Sequence, residues 1–151
     1  MSGREDINAN NLFFLCSLIE YIGRKTKNHR EVIVNAIGKD DLQHIFNLAD
    51  VYHCENIDKL TFELTEKHKI ENGIFDNIAT AKYSIPTHWD IGKVYKRLII
   101  SISKKGNKSL IDALSEVYNS YLSRKIEDFN SSVYYESPEY LFQSYLAGEC
   151  L

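Results

Sequence analysis

The amino-acid sequence predicts an all-α fold, a single helical domain over residues 1–151 built from six or seven helices, with a minor β element near residues 70–85. Three observations carry that prediction. Apolar residues recur at intervals of three and four along most of the chain, which gathers them on one side of a 3.6-residue helix. Two prolines and seven glycines are too few for the many turns of a β sandwich. Residues that cap helices stand immediately before several of the periodic stretches. A chain of 151 residues is one domain long and can bury a core of its own.

The first predicted helix runs from Asn11 to Ile22. Its run LFFLCSLIEYI is apolar almost all round, so it is expected at the centre of the fold, with Gly23 as its C-terminal stop. The strongly basic segment RKTKNHR follows, read as a loop that clusters Arg24, Lys25, Lys27 and Arg30. A short second helix spans Arg30 to Ile37 and closes at Gly38; a third is capped by Asp40 or Asp41 and ends at His53. Asn56 caps a fourth helix from Ile57 to His68. Residues 69–86 are the least helical, and Asn72-Gly73 signals a turn that suits a short hairpin or an ordered plug. Thr87, followed three residues later by Asp90, opens the fifth helix, and Gly106-Asn107 ends it. A long sixth helix covers Ser109 to Asp128, and Ser137-Pro138-Glu139 starts the last.

The fifth helix has two faces. At about 100° per residue, Ile91, Val94, Tyr95, Leu98, Ile99 and Ile102 form one stripe. Lys93, Lys96 and Arg97 fall on the opposite side, together with Ile100 and the chain's only tryptophan, Trp89. A basic face that carries a large aromatic residue is a candidate contact surface. The tyrosine-rich C-terminal region, with Tyr134 and Tyr135, is a second candidate, since tyrosine is favoured at interfaces; the reading preferred for the last helix is that it docks on the core with its ring edges wet.

Composition excludes several classes of function. A net charge of −3 provides no global basic field for nucleic acid. Cys16, Cys54 and Cys150 are odd in number and lack CxxC spacing, against a disulfide framework or a zinc ribbon. The longest apolar run, Leu12–Ile22, is far short of the roughly 20 residues of a membrane span, and MSGREDINANN does not read as a signal peptide. A soluble protein of a reducing cytoplasm is the expectation, with no membrane, metal or cofactor.

Site chemistry is sparse. Asp50 and His53 share a helix face and make a candidate polar site. On one continuous helix His53 would lie within about 20° of Leu42 and about 180° from His44. His53 is therefore expected at the core edge, neutral and bonded to Asp50 or a nearby carbonyl, with the two histidines unable to share an ion. Cys54 follows His53, but adjacent helical residues point about 100° apart and do not form a nucleophile–base pair. No GxxxxGK[ST] or GxGxxG phosphate motif occurs. An enzyme would have to assemble His53, Asp50, Cys54 or His88 in a cleft. The two basic clusters, with Trp89 as a stacking residue, support an accessory RNA- or ssDNA-binding role as an alternative. A helix-turn-helix reading of residues 30–53 fails because Asp40 and Asp41 would open the recognition helix against phosphates.

The stretch IVNAIGKDDLQHIFNLADVYHCENIDKL resembles a pattern in functionally uncharacterised small bacterial helical proteins: a short helix, a glycine, an aliphatic helix ending D-x-x-H, then I-D. Gly38, Asp50, His53, Ile57 and Asp58 carry the match, and NLFFLCSLIEYIGRKTKN and HWDIGKVYKRLI are similar to the same kind of protein. The resemblance implies a partner-binding or regulatory role beside a toxin-like system and assigns no catalytic residue. The functional expectation is thus a small helical module that binds a protein partner, or a second copy of itself, through the Trp89 face or the C-terminal tyrosines.

Overall fold

The computed structural model describes residues 3–151, with side chains from Ile7 onward. The described residues are all-helical, with eight helices packed in one domain and 70% helix. The central helix, α1 (Gly3–Thr26), is longer at both ends than the sequence predicts. Leu12, Leu15, Cys16, Leu18, Ile19 and Ile22 are completely buried along it. Gly23 is not its stop. The helix runs three residues further, and Lys27 then takes the left-handed conformation (φ 58°). Asn28 N–H closes the end by donating to the Gly23 carbonyl at 3.1 Å. Gly23 serves packing instead: a Cβ there would stand 2.5 Å from Cδ of Arg30.

The helix α2 (Arg30–Asn47) contains a sharp break at Gly38, with φ 83° and ψ 157°, where the sequence divides two helices. A second break at Leu48 (φ −108°, ψ 21°) detaches the five-residue α3 (Ala49–His53). Asn56 caps α4 (Ile57–Lys67), its side chain accepting from the N–H groups of Asp58 and Lys59 at 2.7 and 3.3 Å. Thr87 and Asp90 form the full reciprocal capping box that opens α5 (His88–Gly106). The predicted sixth helix is two, α6 (Leu110–Tyr118) and α7 (Tyr121–Glu127). At the break, Asn119 exchanges hydrogen bonds with Asn35 of α2 at 2.9 and 3.1 Å and also donates to the Ser115 carbonyl. After a single 3-10 turn at Val133–Tyr135, Ser137 caps α8 (Pro138–Ala147).

The core is built on α1 and α5, which run antiparallel and bring together Tyr21 with His88, Ser17 with Gly92, and Phe13 with Lys96. The close approach is at Gly92, where a Cβ would meet Ser17 Oγ at 2.1 Å and Ser17 backbone at 2.9 Å. On its buried stripe, Tyr95 stacks on Tyr118 (4.1 Å, 15°) and shares a 2.8 Å hydrogen bond with Ser123.

No strand occurs among the described residues, and the β element expected near 70–85 is absent. The backbone of that segment makes local turns, Thr80 N–H donating to the Asp76 carbonyl and Ala81 N–H to that of Ile78 (both 3.3 Å), and is tied at its ends to neighbouring elements. Gly73 and Phe75 N–H donate to the carbonyls of Thr26 and Lys27 at 2.8 and 2.9 Å. Further along, Lys82 N–H donates to the Asn130 side chain, which in turn donates to the Thr80 carbonyl. Strapped at both ends, the segment is an ordered plug. No helix of the described residues is long and apolar enough to cross a membrane.

Candidate functional site

The expected basic loop is not a free patch. Arg24 and Lys25 sit in the last turn of α1 and Arg30 opens α2, so helices hold three of the four cations. Arg30 is completely buried. Its guanidinium forks onto Glu20, with Nε–Oε1 and Nη2–Oε2 both 2.9 Å, and donates to the Asn28 carbonyl at 2.8 Å. Arg24 grips the same Glu20 at 2.8 Å and the Pro86 carbonyl at 2.6 Å. Lys25 and Lys27 lie near Asp58 and Asp76 at 3.6 and 3.9 Å. A second buried carboxylate, Glu127, accepts from Arg30 N–H at 2.6 Å and from Nδ1 of His29 at 2.8 Å. His29, the residue before α2, makes no cap of its own. Glu127 supplies an acceptor there from a distant part of the chain, where a negative charge also favours the helix N-terminus. Burial pushes Glu20 up, but Arg30 and then Arg24 outweigh it, so its carboxyl lies below the ordinary range. Two carboxylates and two guanidiniums thus balance inside the fold, leaving no free positive field at this turn.

The outer face of α5 is different. Lys93 and Arg97 are exposed and enter no ion pair among the described residues. Lys96 is partly covered and stands 5.9 Å over the Phe13 ring; burial lowers its pKa, and Arg97 and Lys93 lower it further. Trp89 is 39% exposed and packs on Phe13 at 5.5 Å and on His88 at 4.7 Å. Ile100 packs against the core, so this apolar residue of the expected contact face is partly covered by the chain itself.

Two clefts flank this half of α5. The larger, about 430 Å³, lies between α5, residues 84–86 and the 3-10 turn. It brings together four of the sequence-selected residues: Lys93, Arg97, Tyr134 and Tyr135. Tyr134 turns its edge against Phe129 (5.6 Å) and Tyr135 (4.9 Å), while Tyr135 stays 68% exposed. Asp90 and Val94 of α5 also line it, as do Ile85 (45% exposed), Pro86 and Glu136, which the sequence did not single out as contact residues. The rest of the tyrosine-rich end docks on the core: Tyr140, Phe142 and Tyr145 of α8 pack against it, and the Tyr140 hydroxyl reaches the Leu151 carbonyl at 2.7 Å.

The smaller cleft, about 280 Å³, lies between α1, α3 and α5 and is lined by Asp50, His53 and Trp89 with Phe13, Phe14, Asn10 and Asn11. His53 is exposed, makes no bond to Asp50, and turns edge-on to Phe14 at 6.1 Å. The expected core-edge packing is overturned because Leu48 breaks the helix, and the phase linking His53 to Leu42 and Phe46 is lost. Asp50 and His53 nevertheless share one site.

Cys16 is completely buried, and burial pushes its thiol up to about 12, away from the thiolate form that a nucleophile needs. Among the described residues no three His, Cys, Asp or Glu side chains gather as a metal-binding group. No family model, curated protein or solved structure matches this chain.

Proposed function

We propose that this chain is a small cytosolic helical interaction module that docks a protein partner in the larger cleft, between α5 and the 133–136 turn. One observation carries the reading. Large apolar side chains, Ile85 and Tyr135, stand open in a concave site beside two unpaired cations, Lys93 and Arg97. Exposed apolar surface in a concavity, with nearby charge to orient a partner, suits recognition better than solvation. The two carboxylates on the same walls are already engaged. Asp90 closes the α5 capping box, and Glu136 accepts from Ser132 at 3.2 Å. The cations are therefore the charges left to a partner, which favours an acidic segment with an aromatic or aliphatic anchor. The resemblance drawn from the Gly38–Asp58 stretch makes a toxin-like protein the first partner to try.

The test is a binding measurement with a purified partner, or sedimentation of the chain alone if the partner is a second copy. Arg97→Glu combined with Tyr135→Ala should weaken association at least tenfold while circular dichroism and melting temperature stay unchanged. Undiminished association in that variant overturns the proposal. Salt-sensitive binding of a polynucleotide through the same residues would replace it with the nucleic-acid alternative.

A further inference from the structure

We infer that the smaller cleft, between α1, α3 and α5, is a site for an organic cation of the guanidinium class, stacked on the Trp89–Phe13 wall and paired with Asp50. It is separate from the larger cleft and does not depend on the role proposed there. The floor provides the first argument. Asn11 is only 8% exposed and lines the cleft beside Asn10, so side-chain amides form part of its surface. An amide carbonyl oxygen is an acceptor, which suits a ligand that brings several N–H donors.

Charge is the second argument. Asp50 is the one permanently charged side chain on the walls, and it enters no ion pair among the described residues. A phosphate or carboxylate ligand would face that carboxylate with no cation lining the cleft to offset it. A metal ion would find one carboxylate and one imidazole, too few ligands for a closed site.

The aromatic wall is the third. Trp89 and Phe13 are 5.5 Å apart, and ring faces of this kind attract cations, guanidinium more often than ammonium. Phe13 already does so within the molecule, holding the Lys96 ammonium 5.9 Å from its centroid. A planar guanidinium can stack on such a wall while its edge forks onto a carboxylate, which a compact ammonium cannot do. A cleft of about 280 Å³ lies at the lower edge of small-ligand pockets, roughly 300–1,000 Å³, and takes a side-chain-sized group better than a nucleotide.

Trp89 is the chain's only tryptophan and therefore reports directly on the site. Its fluorescence should change saturably on titration with N-acetyl-arginine methylamide or with agmatine, and should not with citrulline, the uncharged near-isostere of arginine. Asp50→Asn, at an exposed position, should weaken the guanidinium response at least tenfold with no shift in melting temperature. Tighter binding of the blocked arginine supports a partner's arginine side chain as the source; tighter binding of agmatine supports a free metabolite. No saturable response to either compound overturns the proposal, and so does a citrulline response equal to theirs that survives Asp50→Asn.

Discussion

The turn between α1 and α2 and the outer face of α5 each gather several cations within a few residues: Arg24, Lys25, Lys27 and Arg30 in one, Lys93, Lys96 and Arg97 in the other. In the first, Arg30 is completely buried and Arg24 mostly covered. In the second, Lys93 and Arg97 are exposed and unpaired among the described residues. What separates them is the supply of carboxylates. Glu20 lies four residues before Arg24 on the same helix, and α7 brings Glu127 to the start of α2. The nearest acid on α5, Asp90, is committed to its own helix cap. A cation beside a rigid, desolvated carboxylate becomes architecture; a cation without one stays at the surface, available to a partner.

The largest expected effect breaks the first region. Glu20→Ala leaves Arg30 charged, buried and half-unpaired, and removal of one partner from a buried pair costs about 3–5 kcal/mol. Urea denaturation should show that loss. A change below about 1 kcal/mol would mean that water or a rearranged Asn77 replaces the carboxylate, and the contrast with α5 would fail.

A smaller loss is expected where the two regions share a foundation, the crossing of α1 and α5. Gly92→Ala forces a methyl against Ser17, and overpacking of this kind costs roughly 1–3 kcal/mol, partly offset by the better helix propensity of alanine, about 1 kcal/mol. Thermal melting checks it. An unchanged or raised melting temperature would show that the helices slide apart freely, and that the α5 face is not held in place by this contact.

Acidification sharpens the comparison, because only the first region contains buried carboxylates. Glu20 is held below its ordinary value of 4.5, burial opposing and the arginines prevailing. Asp41 is likewise lowered from 3.8: burial raises it, and its hydrogen bonds from His68 and Lys67 outweigh burial. A carboxyl depressed in the folded state stabilises the fold above its unfolded pKa, and that stability is lost as pH falls through the folded value. Stability should therefore drop below about pH 4.5. Subtracting the profile of Glu20→Ala from that of the wild type isolates the contribution of Glu20, whereas the profile of Arg97→Ala should follow the wild type. Parallel curves for wild type and Glu20→Ala would sink the assignment.

Helices with local caps were legible in the sequence: Asn56, Thr87, Ser109 and Ser137 each bond a backbone N–H two or three residues on. The start of α2 is placed by Arg30 and Gly38 but not explained by local residues, because its cap is Glu127, 97 residues away. The role of Glu20 was hidden for the same reason, as an acid inside an apolar run has no visible partner until Arg30 folds back onto it. The phase of His53 failed at Leu48, where no proline or glycine marks the break. Of the larger cleft, Lys93 and Arg97 could be read from one helix and Tyr134 and Tyr135 from composition. Ile85 and Glu136 could not, since only tertiary folding brings the two loops to α5. The Phe13 wall was concealed by a helix that is apolar on nearly every side.

The smallest effect belongs to α5. Lys93, Lys96 and Arg97 crowd one another, and the Lys96 pKa is lowered first by burial, then by Arg97 and Lys93. A lysine whose folded pKa lies below its unfolded value destabilises the fold at neutral pH, and the penalty fades as pH rises through that range. Arg97→Ala removes a repulsion and no ion pair. Its stability should stay within about 0.5 kcal/mol of the wild type, as for most surface substitutions, with any change on the stabilising side, while NMR titration shows the Lys96 pKa moving up. If Arg97→Ala instead destabilised as Glu20→Ala does, the arginine would have a carboxylate partner in solution, and the α5 face would be a second structural cluster rather than a surface held open for a partner.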